Sequence, residues 1–350
     1  MNIDYVATTI AVLTFFGIWS LMAISLNIEY GVAGIPNFGK ALFVSIGAYT
    51  TGVTYTRLLP ILAGRDFIHP CGSTLADAIQ LRSDIIRTMP VVAFVNFGIT
   101  LVIAAVISGI IGFAFSYLVL RLKEEWFLAL VLLVGGEIVR IFVRGYQPLI
   151  CANNGISAVS QPFAFMGGRS ASIAFLMLVL LIAFIAYVYS ERLIRSPYGR
   201  LLKAIRENED IARTLGKDVA KTKAQVMFIG SMIAAISGVL FAVNLGFVNT
   251  NDYVVTLTLD VWVMVVLGGL GNPKGALLGA FVIAVLDRLT AIAAIQMNMA
   301  GFNLEFNFVR FILFAVILLL MMRYRPQGIL PEPNYTTEAH DNLTARTTGD

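Results

Sequence analysis

Long apolar runs separated by short polar breaks dominate the chain. They predict helices at about 5–28, 41–62, 90–120, 126–146, 171–190, 224–247, 256–270, 275–296 and 306–323. Nine crossings is the working count, with eight to ten as its range. The third run, about 30 residues long, exceeds one upright crossing, which leaves open strong tilt, an extension beyond the bilayer or two pieces. Between Gly31 and Gly39 glycine, proline and asparagine interrupt the apolar pattern, which reads as a re-entrant piece. The expected fold is an all-α polytopic membrane protein with a broken or re-entrant segment, forming a single transmembrane domain over 1–330. A polar tail, 331–350, has few large apolar residues and is expected to be disordered. The first run begins near Tyr5 without a basic leader and cleavage site, so it reads as a retained helix.

Composition agrees and narrows the choices. Of 350 residues, 58% are hydrophobic and 13% charged, an apolar excess that a water-soluble domain cannot bury. Nine crossings leave no room for a large catalytic module outside the membrane. Cys71 and Cys151 are eighty residues apart, and His69 and His340 lie in separate polar segments, so no local metal, haem or thiol-redox motif can be assembled. No cofactor is expected.

The charges are unevenly placed. Nine of the 25 Lys and Arg fall between Glu191 and Lys223, and the positive-inside rule puts that segment in the cytoplasm. Counting outward from it, Lys40, Arg121, Lys123, Lys274, Arg323 and Arg325 also lie inside, and the N-terminus lies outside. The net charge of +4 thus reflects membrane topology rather than nucleic-acid binding. Cys71 and Cys151 both fall in outer loops, at about 63–89 and 147–170, as a candidate disulfide pair or as two free thiols.

Within the charged segment, Pro197 is placed to open a helix and Gly216 to end it, with Leu201, Ile205, Ala212 and Leu215 forming an apolar stripe. Such a helix docks either on a protein or on lipid headgroups. Here the residues resemble a family. Ser196-Pro197-Tyr198-Gly199-Arg200, Ala204 to Glu209 and Ala212 to Gly216 are similar to the coupling loop of the LivM-type permeases of ABC importers for branched-chain amino acids. Asp210-Ile211-Ala212 and Gly216 keep the spacing of the importer signature Glu-Ala-Ala, three residues, Gly, with Asp for Glu and Ile for Ala. Three further segments follow in order. Leu26-Asn27 through Gly47-Ala48-Tyr49 resembles the family's first glycine-rich segment, with Asn37 and Lys40 where the family has Ser and His. Gly136-Glu137-Ile138-Val139-Arg140 and Asn154-Gly155 match its second, and Val265 to Ala280 matches its V-V-x-G-G-x-G segment.

The resemblance implies a permease of the cell membrane that works with a sister permease, identical or different, two ATPase subunits and an extracytoplasmic solute-binding protein. No G-x-x-x-x-G-K-S/T run is present, and the near match from Gly268 to Gly279 lies within membrane runs. The expected function is import of branched-chain or other hydrophobic amino acids, with import of urea or short amides as the alternative and an ion-coupled secondary transporter as a more distant one. Candidate ATPase-coupling residues are Arg206, Glu207, Glu209, Asp210, Ala212 and Gly216. Candidates for the translocation path are Asn27, Asn37, Lys40, Glu137, Asn154, Asp260, Gly268, Gly269 and Gly271. Glu137 and Arg140, three apart on one helix face, are expected to pair, whereas Asp260 has no cation within a turn. Gly271, Gly275 and Gly279 recur every fourth residue, which suits close helix packing, a break in the span, or both.

Overall fold

In hydrocarbon a backbone must satisfy its own polar groups, so each apolar run becomes a helix. The computed structural model describes residues 4–119, 125–299 and 306–333. From the N-terminus, α1 (Tyr5–Leu26) widens into a π-helical stretch, Asn27–Val32, and a non-helical turn over 33–39 leads to α2 (Lys40–Val53). A second π-helical stretch, Thr54–Leu58, joins α2 to α3 (Leu59–Leu62). An outer helix, α4 (Leu75–Thr88), precedes α5 (Pro90–Val119), α6 (Glu125–Gly145) and the single turn α7 (Gln147–Ile150). Next come α8 (Gly168–Arg195), the short helices α9 (Pro197–Glu207) and α10 (Glu209–Thr214), then α11 (Val219–Leu245), α12 (Val255–Gly268), α13 (Pro273–Met299) and α14 (Phe306–Tyr324). Sheet is confined, among the described residues, to β1 (Ile156–Ser157) and β2 (Phe247–Val248), antiparallel with Ile156 opposite Val248.

Each of the nine expected runs coincides with a helix, and the long third run is one continuous helix, α5. Six of the described spans are long and apolar enough to cross a membrane by length and composition. The others are interrupted by charge or shortness: the α2–α3 rod carries Lys40 and Arg57, α6 carries Glu137, Arg140 and Arg144, and α14 has a short apolar stretch, Ile312–Met321. The protein is a multi-pass membrane protein.

Helix α11 is the centre of the bundle, and small residues let its neighbours approach. A Cβ at Gly47 or Gly238 would strike the carbonyls of Ala235 or Val44, the close backbone contact that small residues permit between membrane helices. Ser108 Oγ donates to Ser231 O across α5 and α11 at 2.9 Å.

The same core contains a fully buried ion pair. Lys40 Nζ lies 2.5 Å from Glu29 Oε2, and both side chains are completely shielded. Asn37 Nδ2 donates to Glu29 Oε2 at 2.7 Å, Lys40 Nζ donates to Ser25 Oγ at 2.6 Å, and Ser25 Oγ donates to Gly230 O at 2.6 Å. The irregular backbone of 33–39 is satisfied locally: Ile35 N–H donates to Glu29 O, Gly39 N–H to Asn37 Oδ1, and Trp262 Nε1 to Asn37 O. The expected re-entrant piece is therefore a non-helical turn packed against protein, as the absence of water requires.

The outer end holds features the apolar pattern does not reveal. Helix α4 lies in what the pattern leaves as a loop, with Ala78, Arg82, Ile85 and Ile86 buried on one face. Arg82 donates to Ser157 O at 2.8 Å, and burial pulls its guanidinium down to about 10, still charged at neutral pH. Cys71 and Cys151 are joined in a disulfide with their Cα atoms 5.5 Å apart, tying the two outer loops together. The N-terminal end lies there too, since Asp4 caps α1 and meets Arg169 at 2.5 Å.

Past α14 the described chain continues to residue 333, and Glu332 pairs with Lys203 and Arg206. Residues 334–350, where the expected disorder would fall, lie outside the described residues.

Removing one partner of a buried pair leaves the other charge uncompensated. Lys40→Met is expected to lower unfolding stability by about 3–5 kcal/mol. The double variant Glu29→Gln/Lys40→Met is expected to recover most of that loss. Thermal unfolding of the purified protein in detergent checks both; equal losses in the single and double variants would contradict the role of the pair.

Candidate functional site

Two backbone interruptions meet at the end of the bundle that carries the charged segment, the inner end by the positive-inside assignment. The first is the π-helical stretch and turn after α1. The second lies between α12 and α13, where Gly269 and Gly271 adopt φ of 120° and 75°, open to glycine and costly for other residues, and Pro273 restarts the helix. Asn27 Oδ1 accepts from Gly271 N–H at 2.9 Å and so links the two. A Cβ at Gly31 would collide with both of those groups. The carbonyls released at the end of α12 are taken by the chain after α14: Ile329 N–H donates to Leu267 O at 3.0 Å and Leu330 N–H to Gly268 O at 2.9 Å. Asn272 Nδ2 donates to the carbonyls of Leu330 and Pro331.

The charged segment lies directly beneath. Its helix was expected to run unbroken from Pro197 to Gly216, but it divides at Asn208, which is extended (φ −159°, ψ 108°) and caps α10 by accepting from Asp210 N–H and Ile211 N–H. An asparagine side chain that satisfies two helix-end donors competes with continued helix. Ile205, Ala212 and Val219 form a small buried cluster with Leu201 beside them. Leu215, expected on the buried stripe, is instead 72% exposed, as is Ile211 at 57%. The break rotates α10 so that these two apolar residues face outward. Gly216 ends α10 at φ 74°, with Lys217 N–H returning to Ala212 O.

The coupling candidates separate by what they touch. Arg206 faces the membrane part: its Nη1 donates to Gly31 O and its Nη2 lies 2.9 Å from Glu332 Oε2. Glu209 meets Lys223 at the start of α11 and Arg213 at 3.3 Å, so it fastens α10 to the next span. Glu207, Asp210 and Gly216 are exposed, and Ala212 is buried. A cavity of about 350 Å³ lies between the breaks and this segment, lined by Tyr30, Gly31, Gly34, Ile205, Arg206, Glu209 and Leu270 among others.

Among the pathway candidates, Asn27, Gly268, Gly269 and Gly271 come together at the inner break. Asn37 and Lys40 join the buried ion pair, and both are fully buried. Glu137 pairs with Arg140, whose Nε lies 2.9 Å from Glu137 Oε2, on a partly exposed face of α6. Asn154 is at the outer surface beside the disulfide. Asp260 alone lines a second cavity, about 230 Å³, with Asp252, Asp287, Asn251 and the apolar walls Phe15, Trp19, Met22, Phe241 and Met264. Glu29 and Glu332 are among the polar residues that sequence reasoning passed over. Glu29 carried a usable signal, a carboxylate within an apolar run.

The family described as the permease component of the branched-chain amino acid transport system matches residues 8–322. The chain belongs to the branched-chain amino acid permease family. The permease is 35% identical over 336 residues, 95% of either chain, to a probable branched-chain amino acid transport permease protein LivM of Methanocaldococcus jannaschii. It is 28% identical to the high-affinity LivM permease of Escherichia coli K12, covering 92% of this chain and 70% of that one. The high-affinity LivH permease of the same strain is 26% identical, covering 90% and 92%. No solved structure matches the chain. Family and apolar helices together place the permease in the cell membrane as a multi-pass protein.

In this permease the every-fourth glycines pack helices and flank the break at once, since a Cβ at Gly275 would come within 2.6 Å of Gly268 O. Gly275→Val is expected to force α12 and α13 apart at a cost of about 1–3 kcal/mol. Thermal unfolding beside the milder Gly275→Ala reads the effect, and an unchanged midpoint for valine would refute the close contact.

Proposed function

We propose that the permease is the membrane-spanning subunit of an ATP-driven importer for branched-chain or other hydrophobic amino acids. It works with a sister permease, two ATPase subunits and an extracytoplasmic solute-binding protein. The observation that carries this reading is the division of labour within the charged segment. Ile205, Ala212 and Val219 bury one side, Arg206 and Glu209 hold it to the membrane helices, and Ile211 and Leu215 stand exposed on the other side. A short helix anchored in this way and presenting two apolar residues amid charge suits a cleft on a partner protein. The relatives named LivM and LivH support a paired sister permease, and the absence of a phosphate-binding loop from the sequence supports an energy source in another subunit.

The outer cavity supports the substrate class. Phe15, Trp19, Phe241 and Met264 offer an apolar surface for an aliphatic side chain, and Asp260 with Asp287 offers negative charge for an ammonium group. A cavity of about 230 Å³ suits one such amino acid and is needlessly large and apolar for urea. Transport requires release as well as binding, so a loose site is sufficient; selectivity resides largely in the binding protein.

In vesicles carrying the assembled complex, ATP is expected to drive uptake of labelled leucine that excess urea does not reduce. Asp260→Asn is expected to lower uptake about tenfold, the scale of one lost charge-assisted contact, with ATP hydrolysis retained. Glu209→Ala and Gly216→Val are expected to leave subunit abundance intact while lowering leucine moved per ATP hydrolysed. The permease alone is expected to hydrolyse no ATP. Full coupling in both loop variants would remove the loop from the mechanism, and turnover by the isolated subunit would overturn the division of labour.

A further inference from the structure

We propose that Glu332 is a positioning residue: it straps the coupling helix α9 to the inner break, so that α9, the Gly31–Gly34 turn and the Gly268–Asn272 break move as one body. The proposal rests on the functional reading above. Lys203 and Arg206 are three residues apart and share one face of α9. The Glu332 carboxylate bridges them, with Oε1 2.7 Å from Lys203 Nζ and Oε2 2.9 Å from Arg206 Nη2. All three side chains are mostly shielded from solvent, where charge-assisted hydrogen bonds are stronger than at an open surface.

The backbone that carries Glu332 is itself tied to the break. Ile329 and Leu330 bond to the last turn of α12, and Asn272 holds the Leu330 and Pro331 carbonyls. The carboxylate sits directly over Gly271, where any side chain would strike it. On its other side Arg206 reaches Gly31 O, and Asn27 reaches Gly271 N–H. Two routes thus run from α9 to the break: one through Glu332 and the backbone bonds of residues 329–331, the other through Arg206 on Gly31 and the Asn27–Gly271 bond. Without the carboxylate the first route is lost, and α9 keeps Arg206 on Gly31. A push delivered to α10 and α9 would then reach the Gly268–Asn272 break through the single Asn27–Gly271 bond and move it less. The strap is a transmission element rather than a switch, closed throughout the cycle.

The test uses the assembled complex in vesicles, measuring leucine uptake and ATP hydrolysis together. Glu332→Ala is expected to reduce leucine moved per ATP about tenfold, within the range of coupling between linked sites, with ATP hydrolysis retained. Glu332→Gln, which keeps the length and loses the charge, is expected to fall between the two. Lys203→Cys/Glu332→Cys joined by a short bis-maleimide is expected to restore the ratio. The chain's two cysteines are bonded to each other, so the reagent addresses the introduced pair. Three results would overturn the strap: Glu332→Ala that keeps the wild-type ratio, variants whose uptake and hydrolysis fall in parallel, or a cross-linked pair as uncoupled as Glu332→Ala. A wild-type complex without ATP-dependent uptake would overturn the functional reading and the strap with it, whereas a coupled wild type beside an equally coupled variant overturns the strap alone.

Discussion

Two opposite charges with no access to water sit where α1, the turn that follows it, α2 and α11 converge, and the rest of the inner half is arranged around them. Each ion costs several kcal/mol to desolvate, and a pair recovers that cost only with good geometry and extra hydrogen bonds. Asn37 supplies one such bond to Glu29 and Ser25 accepts one from Lys40, while the Ser25 hydroxyl donates to the Gly230 carbonyl. Glycine is required at 230 because any side chain would occupy the place of the Glu29 carboxylate. Proline at 36 and the Asn37 side chain hold the turn out of helix, which lets Lys40, eleven residues after Glu29, fold back onto it. A stretch of irregular backbone at membrane depth is thereby closed to lipid.

That fixed turn determines what the inner end can do. It positions Asn27 and Gly31 against Gly271, so two interruptions that would each leave polar backbone exposed satisfy one another. The carbonyls they leave over accept from Ile329 N–H, Leu330 N–H and Arg206. In this way the charged segment, the break in α12–α13 and the end of the described chain are joined by hydrogen bonds rather than by packed side chains. Such bonds are directional and few, which favours discrete alternative arrangements over gradual deformation.

Much of this was legible in the sequence. Nine apolar runs gave the helices because hydrocarbon leaves the backbone no other option, and the concentration of Lys and Arg gave the charged segment its side and its separate character. The family motifs marked Asn27, Gly268 to Gly271 and the segment from Ser196 to Gly216. What escaped depends on contacts between distant residues. Glu29 lies inside an apolar run, and its partner is revealed only when the intervening turn folds back. Helix α4 hides its stripe because Arg82, a charged residue, occupies a buried position by donating to the Ser157 carbonyl. Asn208 has the composition of a surface residue in a helix, and only its two capping bonds explain why α9 and α10 part there. Glu332 belongs to a polar stretch late in the chain, and its pairing with two cations on α9 joins residues far apart in sequence.

The placement of polar groups also argues for where the molecule yields. Separating α2 from the turn after α1 would strand a carboxylate and an ammonium in a place without water, a cost that cannot be recovered during a cycle. The inner unit of turn, break and α9 lies beside a cavity and close to the charged end, where water can replace the bonds it makes to its surroundings at little net loss. The buried pair therefore ties the turn firmly to α2, and the inner unit yields at its water-facing side. At the outer end, the disulfide between Cys71 and Cys151 and the buried Arg82 hold the two loops together. The sequence thus concentrates its strongest polar contacts in the core and its covalent link outside, and leaves glycine, asparagine and solvent-replaceable bonds at the inner end, where force from a partner would arrive.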